Sequence, residues 1–336
     1  MKQRQLGRTG LRVSRIGLGT LTWAGHPGEQ TAAERRAADM LKLFWDAGGT
    51  LVDTADVYAD GGAEYLLGRL LDGLVPRRDL VIATKSGGVA EPDRRFDGSR
   101  GHLLAALDAS LARLGTDYVD LWQIHGFDPL TPLEETLHAV DLAVSSGRAR
   151  YAGVAGYPAL PGWQLAKAAT WQLAAPARRV RLAGAQLEYS LLRRGVEREV
   201  LPAVRDLGLG LLPASPLGRG VLSGKYRGGA APPDSRGASE RLAGFVEPYL
   251  GERAERIVDA VATAADGLAV SPLQVALAWV RDRPGVAAPL VGARTAGQLE
   301  EALSVEALTL PEEIDRALDD VSAPVHHYPD QDWSAL

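Results

Sequence analysis

"DLVIATK", residues 79–85, decides the fold. Leu80, Val81 and Ile82 make a short apolar run rich in β-branched side chains, and the run ends on Lys85. A strand with one wet face alternates apolar and polar. This one is apolar nearly throughout, as a parallel strand covered on both faces is. The signature recurs along the chain, in "LRVSRIGLG" (11–19), "GTLVDT" (49–54), "YVDLWQIH" (118–125), "RYAGVAG" (150–156), "LAGAQLEY" (182–189), "LGLLPAS" (209–215) and "AAPLVGA" (287–293).

Helical patterns fill the intervals. "TAAE" (31–34), "TPLE" (131–134) and "SPLQ" (271–274) each place Ser or Thr three residues before Glu or Gln, which is the capping-box spacing. In the last two, Pro takes the first helical position. "TAGQ" (295–298) opens another helix, and Gly48, Gly115, Gly147 and Gly208 mark helix ends. Counted from Ile16, the chain gives eight strand–helix units, which favours a closed (β/α)₈ TIM barrel of the α/β class over an open sheet. Gly7-Arg8-Thr9-Gly10 lies between two β-prone arms and reads as an N-terminal β-hairpin outside that count. Residues 216–250 form a long Gly/Pro-rich loop after strand 7. The expected organisation is one barrel domain over 1–336 with an aperiodic C-terminal tail at 323–336.

The chain has 336 residues, 46% apolar and 24% charged, with a formal net charge of -5. Charges of both signs are interspersed, which argues against a nucleic-acid surface. With no cysteine, disulfides, thiolate ligands and a cysteine nucleophile are excluded. No stretch approaches the roughly 20 apolar residues that span a bilayer, and "MKQRQLGRTG" has no signal-peptide core. A cytoplasmic protein, without membrane association and monomeric or weakly homo-oligomeric, is the expectation.

At the C-terminal strand ends of such a barrel, side chains converge on one face. Strand 2 ends in Asp53, strand 3 in Lys85 and strand 4 in His125, Tyr58 follows strand 2, and strand 6 carries Gln186. Singly, each has an ordinary reading: a helix cap, a solvated charge, a hydrogen-bonded imidazole, a packed ring. Together they read as a device. A phenol of pKa about 10 is a poor acid at neutral pH. An ammonium lowers it, a carboxylate positions the ammonium, and an imidazole hydrogen-bonds at the same oxygen. The result donates a proton to a carbonyl or alkoxide oxygen. It contains no nucleophile, so a hydride source has to come from a cofactor.

"GLGT" (17–20), "DTADVY" (53–58), "ATKSG" (83–87), "LWQIH" (121–125), "GKYR" (224–227) and "VGARTAGQLEEA" (291–302) occur in order over nearly the whole chain. In these segments the sequence resembles the aldo-keto reductases, in particular the bacterial branch that includes potassium-channel β subunits. The resemblance implies an NADPH-dependent oxidoreductase that reduces an aldehyde or ketone by hydride transfer. Tyr58 would be the general acid, Asp53 and Lys85 would tune it, and His125 would orient the carbonyl. It implies Gly19, Thr20 and Asp53 beside the cofactor, and Gln186 at the nicotinamide amide. Ser215, Leu217, Gly220 and Lys225 would meet the pyrophosphate, Arg236 and Arg294 the 2′-phosphate, and Gly292, Gln298 and Glu301 the adenosine end. Trp23, Tyr58, His125 and Tyr157 would line the pocket for a small-molecule carbonyl substrate, with His26, Tyr328 and Trp333 as further candidates. No metal is implied.

Three positions depart from the family pattern. Ala155-Gly156 replace the Ser-Asn pair after strand 5, Ala214 replaces a stacking aromatic after strand 7, and Ala302 replaces an Asn. Tyr157 or Trp163 could compensate. These losses keep open a nucleotide-binding regulatory or redox-sensing subunit with little turnover. An aldolase or hydrolase would need Lys85 as an amine nucleophile, and Asp53 beside it works against that. "GRGVLSGK" (218–225) fails as a phosphate-binding P-loop, with Arg219 where Gly is required and Tyr226 in place of Ser or Thr. His326-His327 alone is not a ligand set. Apolar or aromatic aldehydes, sugar-derived carbonyls and natural-product ketones are all compatible with the sequence.

Overall fold

The computed structural model describes residues 1–23, 30–89, 94–156, 161–174, 179–227, 231–233, 235–239 and 243–324. Two short strands come first. β1 (Gln3–Gln5) and β2 (Arg12–Ser14) pair antiparallel across a turn in which Gly7 has φ +59°. A Cβ on Gly7 would lie 2.4 Å from the Gly208 carbonyl oxygen, so only glycine allows this close approach. The Arg8 N–H donates to that same oxygen at 2.7 Å.

Eight parallel strands follow: β3 (Gly17–Gly19), β4 (Leu51–Asp53), β5 (Val81–Ser86), β6 (Val119–Ile124), β7 (Ala149–Gly156), β8 (Leu182–Glu188), β9 (Gly210–Ala214) and β10 (Leu290–Val291). They form one sheet in the order β10-β3-β4-β5-β6-β7-β8-β9. Residues just before β10 close the seam: the Leu211 N–H donates to the Gly285 oxygen at 2.9 Å, and the Ala287 N–H to the Leu211 oxygen at 2.8 Å. The result is a nearly closed (β/α)₈ barrel with its N-terminal hairpin. The run 11–19, expected as one strand, divides between the hairpin and the barrel because Arg15 and Ile16 turn the corner between β2 and β3. The last strand is shorter than 287–293 because its first residues serve the seam.

The helices are α1 (Gln30–Asp46), α2 (Gly62–Leu70), α3 (Arg100–Leu114), α4 (Leu133–Ser145), α5 (Gly162–Ala174), α6 (Val200–Leu207), α7 (Ala243–Val246), α8 (Glu252–Leu268), α9 (Pro272–Arg281), α10 (Ala296–Ser304) and α11 (Glu312–Ser322). Ser271 and Gln274 form the full capping box of α9, and the Thr295 hydroxyl accepts from the Gln298 N–H at the start of α10. Thr131 does not cap α4. Its hydroxyl donates to Asp128 at 2.6 Å, and Pro132 stands at the cap position. The loop after β9 is not structureless: it holds short 3-10 turns at Gly218–Ser223, Arg236–Ala238 and Glu247–Tyr249, and α7.

The core has two shells, set by the two-residue period of the strands. Leu51, Ala83, Leu121, Ala183, Leu212 and Leu290 pack inside the barrel, with Leu6, Leu11 and Val13 of the hairpin region. Val52, Ile82, Trp122, Ala152 and Leu187 point the other way, into the layer shared with the helices. Among the described residues no single helix is long and apolar enough to cross a membrane. α8 and α9 reach that length only as a pair bent by 101°.

Candidate active site

The inward period continues past the apolar layer. Leu51 faces in, so Asp53 does as well. Ala83 faces in, and so does Lys85. Leu121 faces in, and His125 lies four residues on, immediately after β6. Tyr58 is carried by the turn after β4, whose form is fixed by the Thr54 N–H donating to Ala83 (2.8 Å), Asp56 to Lys85 (3.1 Å) and Tyr58 to Ala55 (3.2 Å). Four polar residues are therefore brought together above an apolar plug.

The Lys85 ammonium is the hub. Its Nζ donates to Asp53 Oδ2 at 2.8 Å, to the Thr54 carbonyl at 2.7 Å and to Tyr58 Oη at 3.3 Å. Gln186 Nε2 donates to the other Asp53 oxygen at 2.9 Å. Both carboxylate oxygens are thus held by donors, and the lysine has three acceptors. Asp53 and Lys85 are buried, while Tyr58 and His125 keep partial exposure. The Tyr58 and His125 rings stand edge to face, with centroids 6.3 Å apart.

Burial alone would lower the lysine, but Asp53 and Tyr58 outweigh it and hold the ammonium above its usual range. Burial pushes the Asp53 carboxyl up, against Lys85 and Gln186. With Lys85 so firmly charged and two donors on the carboxylate, we read the pair as ionised. Burial also raises the Tyr58 phenol, and the pull of Lys85 is smaller. This differs from the expectation that the ammonium lowers it: desolvation of a phenolate outweighs one neighbouring charge. His125 is driven down to about 3 by burial and by Lys85. At neutral pH the site therefore holds a protonated phenol beside a neutral imidazole.

The Aldo/keto reductase family model matches residues 15–323. The chain belongs to the aldo-keto reductase family. It is 37% identical to a probable voltage-gated potassium channel subunit beta of Oryza sativa subsp. japonica, covering 94% of this chain and 95% of that one. It is 36% identical to the L-glyceraldehyde 3-phosphate reductase of Escherichia coli, over 92% and 88% of the two chains. It is also 32% identical to the versiconal hemiacetal acetate reductase of Aspergillus parasiticus, over 94% and 95%. This aldo-keto reductase is accordingly an oxidoreductase of a family that acts on small carbonyl compounds and generally uses NAD(P)H.

The candidate nucleotide residues are distributed around the same rim. Gly19 pairs with Asp53 across β3 and β4. Thr20 is buried, its N–H donates to the Asp53 carbonyl at 2.9 Å, and its hydroxyl has no described partner. After β9, Ser215, Gly218, Arg219, Gly220 and Gly224 all have positive φ, a run of left-handed backbone that builds a tight concave turn. A Cβ on Gly220 would lie 3.0 Å from Lys225 Nζ, so the glycine keeps the lysine close. Leu217 begins that turn. Gly292 is exposed just after β10, and Arg294 and Thr295 lead into α10. The Gln298 side chain accepts from the Arg294 N–H at 3.0 Å, and Glu301 lies partly exposed on the same helix. A buried hydroxyl with no described partner, a left-handed cradle and an Arg at a helix start fit a nicotinamide dinucleotide.

The positions expected at the nicotinamide end are barer. Gln186, expected at the carboxamide, commits its amide nitrogen to Asp53. Ala155 is buried and Ala214 half-buried, so neither offers a hydrogen bond or a ring. Ala302 is fully buried in α10, a place that suits a methyl group and not an amide. Trp23 is only 2% exposed and Trp122 donates its Nε1 to Ser86, so neither is an open pocket wall. Trp163 is exposed and meets Phe127 edge on at 6.5 Å. Arg227 pairs with Asp259 on α8 at 3.0 Å on the surface. Arg236 begins a short 3-10 turn, and its side chain lies outside the described residues. So do His26, Tyr157, Tyr328, Trp333, His326-His327 and the tail beyond Pro324.

Several contributors had no sequence signal. The Thr54 carbonyl is a backbone group. Glu64, 0% exposed, accepts from Thr84 and from Arg113 beneath the Tyr58 turn. With burial as the larger cause, it helps push the Asp56 carboxyl to about 6. The loops after β5 and β6 are locked by Asp128, which accepts from Arg94 (2.6 Å), Gly98 N–H (2.9 Å), Leu130 N–H (2.9 Å) and Thr131 (2.6 Å).

Burial opposes the Asp128 charge, but those donors prevail and hold the carboxyl at about 2. A depressed carboxyl adds stability above the ordinary carboxylate range and loses it as pH falls through its folded value. Wild type is expected to exceed Asp128→Asn by roughly 2 kcal/mol at pH 6. The difference should shrink between about pH 4 and pH 2. Denaturant titrations across that range check it, and a pH-independent difference would contradict it.

Proposed function

We propose that this aldo-keto reductase reduces aldehydes or ketones to alcohols with NADPH, and that Tyr58 donates the proton. The observation that carries the reading is Lys85 Nζ, held at 2.8 Å from Asp53 and 3.3 Å from Tyr58 Oη, with His125 against the same phenol. When bound, the reduced nicotinamide supplies the hydride. Tyr58 gives its proton to the carbonyl oxygen as negative charge builds there, so the alkoxide never forms free. Lys85 stabilises the phenolate left behind, and Asp53 keeps Lys85 charged and aimed. His125, neutral, hydrogen-bonds the carbonyl and aligns it with the phenol. Thr20, Ser215, Gly220, Lys225 and Arg294 would hold the nucleotide, with Arg294 at the 2′-phosphate, where a fixed guanidinium fork is apt.

The direct test is oxidation of NADPH, and of NADH, in the presence of 4-nitrobenzaldehyde. Turnover with NADPH preferred by about tenfold or more is the expected result, since a lost Arg–phosphate contact is worth roughly one to three kcal/mol. Equal rates with the two nucleotides would contradict the phosphate assignment.

A second reading rests on the relatives named as potassium-channel β subunits and on Ala155, Gly156 and Ala214. On that reading the barrel binds the nucleotide and reports its redox state with little turnover. NADPH that binds by fluorescence but is not consumed by any aldehyde would favour it.

A further inference from the structure

A half-exposed aromatic ring sits beside His125, on a loop that the sequence does not mark. Gly87–Val89 and Arg95–Asp97 run antiparallel after β5: Gly88 bridges Phe96, the Val89 N–H donates to the Arg95 oxygen at 3.0 Å, and the Asp97 N–H to the Gly87 oxygen at 2.8 Å. The Phe96 ring lies 6.2 Å from the His125 ring, tilted by 48°. Its edge rests on Gly126, where a built Cβ would fall 2.4 Å from the ring. The ring thus takes the volume that a side chain at 126 would need. The same loop touches the Tyr58 turn, because a Cβ on Gly88 would lie 2.6 Å from Val57 Cγ1.

The position is over-determined. Arg94 donates to the Phe96 carbonyl at 3.0 Å, to Asp97 at 3.0 Å and to Asp128 at 2.6 Å, and Asp128 also holds Gly98, Leu130 and Thr131. These bonds bracket Phe96 on one loop and His125-Gly126 on the other. A buried carboxylate with this many donors would be an odd investment for a loop that merely connects. It makes sense as the anchor of a ring whose place matters.

We propose that Phe96 is a specificity-determining residue: it forms a flat apolar wall beside His125 and selects carbonyl substrates that carry an aryl group next to the reacting carbon. The proposal rests on the carbonyl-reductase reading and names the substrate class of that site. An aryl group packs against the ring in offset or edge-to-face contact, and a short alkyl chain gains much less. Arg94 and Asp128 act as positioning residues for the ring.

The test compares 4-nitrobenzaldehyde with propanal, using NADPH and the full chain, in wild type, Phe96→Ala, Phe96→Tyr and Gly126→Ala. Phe96→Ala is expected to lower kcat/KM for the aryl aldehyde by about tenfold, mostly through KM, and to change propanal by less than about threefold. Phe96→Tyr keeps the ring and should restore the aryl preference. Gly126→Ala leaves Phe96 in the chain but displaces its ring, and should lower the same ratio without depending on how Phe96→Ala folds. NADPH affinity by fluorescence should stay within about threefold of wild type in each. An aryl-to-alkyl ratio unchanged in both Phe96→Ala and Gly126→Ala, in an enzyme whose wild type turns over both aldehydes, overturns this inference and leaves the reductase reading standing. A wild type that binds NADPH and turns over neither aldehyde overturns both.

Discussion

Tyr58→Phe is expected to lower kcat/KM for NADPH-dependent aldehyde reduction by about 10²–10⁴-fold, the range that a positioned proton donor contributes. The substitution removes one oxygen and keeps the ring, so the edge-to-face contact with His125 survives. The phenol is the hydroxyl that Lys85 addresses, and burial keeps it protonated at neutral pH. Neither His125 nor Lys85 replaces it. His125 is neutral, its usual pKa driven down to about 3, and the Lys85 ammonium is tied to Asp53 and Thr54. Nucleotide affinity measured by fluorescence should change by less than about threefold, because losing one oxygen leaves Ser215, Lys225 and Arg294 intact. A fall in affinity that matched the fall in rate would make Tyr58 a binding residue instead.

Lys85→Met is expected to remove activity and also to destabilise the fold by about 3–5 kcal/mol, the cost of leaving a buried charge without its partner. Asp53 is 3% exposed and, among the described residues, would retain Gln186 alone as a side-chain donor. The Thr54 carbonyl would lose its donor too. The double variant Asp53→Asn, Lys85→Met removes both charges and should recover much of that stability, since a neutral pair of similar size is often neutral or better. It should recover no activity. Denaturant melts of the two variants beside wild type separate the two effects. A single variant as stable as wild type would mean that the pair is not desolvated as described.

Much of the fold was legible because parallel strands write themselves plainly. Runs such as "DLVIATK" and "YVDLWQIH" are apolar on both faces, and the two-residue period carries the inward side of the barrel from Ala83 to Lys85 and from Leu121 to His125. The gathering of Asp53, Lys85 and His125 follows from that period, whereas Tyr58 is placed by the turn after β4. Boundaries were less legible. The capping-box pattern at Thr131 gave way because its hydroxyl serves Asp128, a partner that tertiary structure supplies. The phenol's direction of shift was misjudged because burial has no local signature. The Gln186–Asp53 hydrogen bond carries no local signal, because it spans β4 and β8 and no spacing in the chain encodes it. The place of Phe96 has no local signal for the same reason: the Gly126 surface beneath it and the Arg94–Asp128 bond beside it are tertiary contacts.

The central claim is that this barrel moves hydride from NADPH to a carbonyl carbon while the chain supplies the proton. The measurement that tests it most directly uses NADPH doubly deuterated at nicotinamide C4, with 4-nitrobenzaldehyde in ordinary water, and mass analysis of the alcohol. The account predicts one deuterium on the carbinol carbon of every product molecule, beside the aldehyde's own hydrogen, with the transferred proton on oxygen. Alcohol formed without deuterium, or NADPH bound and left unconsumed, would contradict it.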